Sequence, residues 1–97
     1  MRFLQFDKDK LADVFLFEAE RNYTMVYYHN GHRDVYSFPL KRFHEFLLNE
    51  PSFVRIHKSY LVNRRYIKSI ARDHIQLHNG QFLPVARRKK LIGESKH

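Results

Sequence analysis

The chain has 97 residues, a net charge of +8, a sequence pI near 10.0 and no cysteine. That length suggests one domain, 1–97, with its core over about residues 2–92 and burial of roughly 60–65% of the unfolded surface. The composition excludes a disulfide framework and thiolate chemistry, and no apolar run approaches the ~18 residues of a membrane-spanning helix. Absence of cysteine fits a reducing cytoplasm. The charge is segregated: residues 1–50 hold 7 Lys/Arg and 8 Asp/Glu, whereas residues 51–97 hold 11 and 2. Segregation of this kind suggests a basic face and a polyanionic partner, against the plainer alternative of a solvated basic surface.

In chain order, "RFLQF" alternates briefly and suggests a strand. "VFLFEAE" reads as a buried strand running into a loop. "YTMVYYHNGHRDVYSF" places two Tyr/Val-rich runs around Asn30-Gly31, a turn pair favoured in tight hairpins because both residues tolerate positive φ. The period then changes. Leu40, Phe43, Phe46 and Leu47 follow helical spacing, with Pro39 suited to the first turn and Pro51 barring continuation. This predicts the main helix within Pro39 to Leu48.

"FVRIHKSYLVN", Phe53 to Asn63, returns to alternation and reads as a strand with one wet face. Val54, Ile56, Tyr60 and Val62 make the apolar row, and the wet face carries Arg55, His57 and Ser59 without an acid. Ile67 and Ile70 then anchor a basic segment. "HIQLHNGQFLPV" is a second Asn-Gly hairpin, with Ile75 and Leu77 facing Phe82 or its neighbours. "ARRKKLIG" suggests a short last helix ended by Gly93. The fold class is therefore mainly β, with one main helix and a short C-terminal helical turn.

Catalysis needs converging groups, and none converge here. The 3 glycines are too scattered for a phosphate loop. Asp7, Asp9, Glu18 and Glu20 read as surface acids. His29 and His32, and likewise His74 and His78, bracket turns without a carboxylate at ligand spacing, so no metal is expected. His57 and Ser59 lack a third orienting group. Neither an enzyme nor a cofactor is predicted.

The order of these features resembles the LytTR-type DNA-binding domain of bacterial transcription regulators. The family's strongest signature is matched by Phe53, Arg55, His57, Lys58, Ser59, Tyr60, Leu61, Val62 and Asn63. Upstream, Phe15 to Glu18 and Asn22-Tyr23 match its apolar strand, Glu and Asn-Tyr pair. Downstream, Ile67, Ile70, Asn79-Gly80 and Pro84, Val85, Ala86, Arg87 match its Ile segment, turn and C-terminal motif. The match spans nearly the whole chain.

The resemblance implies small stacked β-sheets that read double-stranded DNA through loops in successive major grooves. It also implies paired short promoter repeats, usually occupied by two protomers. Carried over, the reading positions are Asn22 to Thr24, with Asn22 and Thr24 pointing outward over Tyr23; then His57, Lys58 and Ser59; then Arg87. Arg87 suits guanine because its planar fork matches O6 and N7. Lys58, Arg64, Arg65, Arg88, Lys89 and Lys90 would supply attraction to phosphates. Arg55 is open between a DNA contact and a structural ion pair, and Asn63 is expected to satisfy backbone groups of the following turn. Ala86 replaces the family's usual Ser, whose loss as a cap costs ~1 kcal/mol. Family members usually carry a receiver or membrane sensor, so a stand-alone regulator and a piece of a larger one are both open. The alternatives are an RNA-binding β-sheet, argued from the Tyr and Phe content, and a basic protein-interaction domain.

Overall fold

The computed structural model describes residues 8–87. The strand expected at "RFLQF" and the last helix, past Arg87, lie outside them. A 3₁₀ turn, Lys8–Asp13, leads into β1 (Val14–Glu20), β2 (Tyr23–Tyr28) and β3 (Arg33–Tyr36). Then follow α1 (Leu40–Phe46), β4 (Phe53–His57) and β5 (Tyr60–Asn63). A 3₁₀ turn at Arg64–Tyr66 precedes β6 (Ile67–Ile70), β7 (His74–Leu77) and β8 (Phe82–Pro84). The main helix lies where the sequence puts it, although Pro39 takes an extended conformation at its N-cap rather than a helical one.

Two antiparallel sheets result. One has five strands in the order β3-β2-β1-β5-β4, the other three in the order β6-β7-β8. The alternation of each strand sends side chains to two faces, and here both faces of the five-stranded sheet are used. Phe17, Val26, Tyr28 and Leu61 join Leu40 and Phe43 of α1 and Leu47 at its C-cap in one core. Leu16, Ile56 and Val62 join Ile75, Leu77 and Leu83 of the small sheet in the other. The layers are therefore helix, large sheet, small sheet. Ile67 packs on the second core, whereas Ile70 is exposed.

The segment "FVRIHKSYLVN" is a hairpin rather than one strand. β4 and β5 pair antiparallel, with Val54 opposite Val62 and Arg55 opposite Leu61. These pairs differ by an even number, a bulge between Arg55 and His57 then sets His57 opposite Tyr60, and Val54, Ile56, Tyr60 and Val62 all pack on the small-sheet core. The apolar row therefore stays on one face in a hairpin as it would in a strand, and alternation alone does not separate the two. Nor does the turn at Lys58-Ser59 contain the Gly, Pro, Asn or Asp that marks most turns.

Both His-Asn-Gly turns close hairpins, in the same way. Gly31 and Gly80 have φ of +94°, while each Asn keeps negative φ. The glycine N–H donates to the carbonyl of Tyr28 or Leu77, and the Asn Oδ1 accepts from the N–H two residues on, at His32 or Gln81. Only the glycine needs the left-handed region, so these are wider loops than the two-residue turn with positive φ at both positions.

Candidate nucleic-acid interface

Strand pairing decides which loops meet. β1 ends in a two-residue turn, Arg21-Asn22, closed by Glu20 opposite Tyr23. β5 runs antiparallel beside β1, with Glu18 opposite Tyr60, and the Ala19 N–H donates to the Ser59 carbonyl at 2.9 Å. The Arg21-Asn22 tip therefore projects just past the Lys58-Ser59 turn. On the other flank of β4, the Ala86 N–H donates to the Ile56 carbonyl at 2.8 Å, and the Val85 N–H donates to the Asp73 backbone carbonyl at 2.9 Å. These bonds bring Arg87 and the β6–β7 turn, with Arg72, to the same end. Asn22, the His57–Ser59 segment and Arg87, far apart in sequence, share one end of the molecule.

Asn22, Lys58 and Arg87 are exposed there, and His57 and Ser59 are half-buried. The sequence reading passed over Arg21 and Arg72, both exposed basic residues in these turns. Arg21 has φ of 60°, the one described non-glycine residue at positive φ. Such strain concentrates at functional loops. A basic residue beside the expected Asn22 was the available signal for Arg21; Arg72 carried none beyond its charge.

Three expectations are corrected. Thr24 is fully buried, and Tyr23 is 48% exposed, the reverse of what was expected. The Glu20–Tyr23 closure sets the parity of β2, which turns Thr24, Val26 and Tyr28 inward. The Thr24 hydroxyl donates to the Phe38 carbonyl at 2.7 Å, tying β2 to the connection before α1. Thr24→Val should therefore cost about 0.5–1.5 kcal/mol in urea unfolding by removing this part-buried hydrogen bond, with base preference unaltered.

Arg64 and Arg65 are the second correction. They follow β5, which carries the chain roughly 15 Å from Ser59 at ~3.3 Å per residue. Arg64 is held at the opposite end, its N–H donating to the Ser52 carbonyl and its Nε to Pro51. Closeness in sequence did not become closeness in space. Arg88, Lys89 and Lys90 lie outside the described residues.

Third, among the described residues Arg55 forms no ion pair and turns to backbone carbonyls instead. It is half-buried, and its guanidinium bonds the carbonyls of His57 and Lys58. Burial pulls its pKa below the ordinary arginine value. Asn63 behaves as expected. Its Nδ2 donates to the Val14 carbonyl at 2.9 Å, and its Oδ1 accepts the Arg65 N–H at 3.0 Å.

The acids near the loops are Glu18, Glu20 and Asp73, of which Glu20 is exposed beside the Arg21-Asn22 tip. Burial first, then the Glu18 carboxylate, pushes up the pKa of the Tyr27 and Tyr60 phenols, which therefore stay neutral. Asp73 bonds the His74 ring at 2.8 Å, and that bond first of all holds its carboxyl below the usual value. A pocket of about 290 Å³ lined by Phe15, His29, Tyr66, Leu77, His78 and Asn79 opens at the opposite end, away from the loops. Among the described residues no cluster of His, Asp or Glu could hold a metal ion, and no helix is long and apolar enough to cross a membrane.

A family model for the LytTr DNA-binding domain matches residues 8–91. The chain belongs to the LytTR family of DNA-binding domains. As a LytTR domain it is a DNA-binding module of bacterial transcription regulation, not a member of an enzyme family. Among solved structures, it is similar to the LytTr DNA-binding domain of a putative methyl-accepting/DNA response regulator from Bacillus cereus. The two share 30% identity with a TM-score of 0.68, over 78% of this chain and 72% of that one. No curated protein matches the sequence.

Proposed function

We propose that this LytTR domain binds duplex DNA at paired short promoter repeats, one protomer per repeat, and reads bases with loops set in successive major grooves. The convergence of Arg21-Asn22, His57 to Ser59 and Arg87 on one end carries this reading. Lys58, Arg21 and Arg72 grip phosphates and so set register, while Arg87 and Asn22 face base edges. The regulator would act in the cytoplasm, where its promoter is.

The packing disfavours the RNA alternative. Stacking of single-stranded bases needs an open aromatic sheet face. Here Tyr28 and Tyr36 pack against the helix-side core, and Tyr27 packs against the small-sheet core.

Selection of bound duplexes from a random pool tests the proposal, and should return two related short repeats. Arg87→Ala should then relax base choice at one position of each repeat by about 1–3 kcal/mol, with little change elsewhere. Uniform weakening on all sequences would make Arg87 a phosphate contact. A preference for single-stranded RNA over any duplex would sink the reading.

A further inference from the structure

The Lys58-Ser59 turn lacks Gly, Pro, Asn and Asp and draws much of its order from the side chains around it. Arg55 supplies most of it. Its Nε donates to the His57 carbonyl and its Nη2 to the Lys58 carbonyl, each at 2.8 Å. Its Nη1 lies 3.1 Å from His44 Nδ1 on α1. A guanidinium only donates, so His44 Nδ1 holds a lone pair. One side chain thus bolts the turn to the helix layer beneath it.

The turn also dictates the state of His57. The Ser59 N–H donates to His57 Nδ1 at 3.1 Å. A ring nitrogen that accepts carries no proton, so neutral His57 has its proton on Nε2. Among the described residues nothing accepts from that Nε2–H.

We propose that Arg55 is a positioning residue for DNA recognition, and that it holds the turn so His57 offers a donor-only Nε2–H to an acceptor on DNA. The acceptor is a phosphate oxygen, or O6 or N7 of a purine. This rests on the DNA reading above. Arg55 acts through the turn: three of its five N–H donors go to two carbonyls and an imidazole. Lysine keeps the charge but has no fork, and cannot span the same partners.

Two measurements test this. On the ¹⁵N-labelled wild-type chain, long-range ¹H–¹⁵N imidazole spectra should show His57 as the single Nε2–H tautomer. In duplex titrations at several salt concentrations, Arg55→Lys should lower affinity roughly tenfold to a hundredfold. The log–log salt slope should stay unchanged, and the His57 tautomer signal should become mixed. Full affinity in Arg55→Lys, with a slope about one unit shallower in Arg55→Ala, would make Arg55 a phosphate contact and overturn the proposal. An Nδ1–H tautomer in the wild type would overturn it without any variant. Loss of all duplex binding by the wild type, with the Nε2–H tautomer intact, would remove the DNA reading and leave the built turn standing.

Discussion

Raising salt from about 50 to 200 mM should weaken duplex binding roughly fortyfold. Each phosphate engaged by a cation releases condensed counterions, with a slope of about −0.9 per contact in log affinity against log salt. Arg21, Lys58, Arg72 and Arg87 stand at the loop end, in or beside its turns. Arg21, Lys58 and Arg72, the three phosphate contacts, give a slope of about −2.7, while Arg87 faces a base. Lys58→Ala should make it shallower by about 0.9 on specific and random duplexes alike. Arg64→Ala with Arg65→Ala should leave it unchanged, because both sit at the other end. Fluorescence titration of a labelled duplex reads all three. If the double variant flattens the response as much as Lys58→Ala, the DNA-facing end has been misassigned. A flat response in the wild type would remove the basic end from recognition altogether.

Phe17→Ala should destabilise the domain by about 3–5 kcal/mol. Phe17 is fully buried, its ring centroid 5.1 Å from that of Phe43 and 5.6 Å from that of Phe53. Truncation leaves a cavity between α1 and the large sheet that close-packed neighbours cannot fill. A domain of this size has a stability of about 5–15 kcal/mol, so at least about a fifth of it is at stake. β1 pairs with both β2 and β5, so its loosening also separates the Arg21-Asn22 tip from the Lys58-Ser59 turn. Urea unfolding should show a lower midpoint with the same slope. Leu48→Ala, at a side chain 69% exposed, should stay within about 0.5 kcal/mol. Equal shifts for the two variants would contradict the described core.

Local features were legible in the sequence because short-range chemistry writes them. Helical spacing bounded by Pro39 and Pro51 located α1, and the two Asn-Gly pairs located two hairpins. The motif from Phe53 to Asn63 carried the family, and charge segregation pointed to a polyanion. Pairing across the sheets decided the rest. Nothing local told that Lys58-Ser59 reverses the chain, since the apolar row stays on one face across the hairpin. Thr24 went inward because the Glu20–Tyr23 closure sets the parity of β2. Arg64 and Arg65 left the candidate site because β5 carries them to the far end, whereas Arg87 joined it through the Ala86–Ile56 hydrogen bond. Arg55, ambiguous as a letter, acquired its role from two carbonyls and a helix histidine that only the folded chain brings within reach. Residue type sets what a side chain can bond; the antiparallel register of β1, β4 and β5 sets which partners it meets.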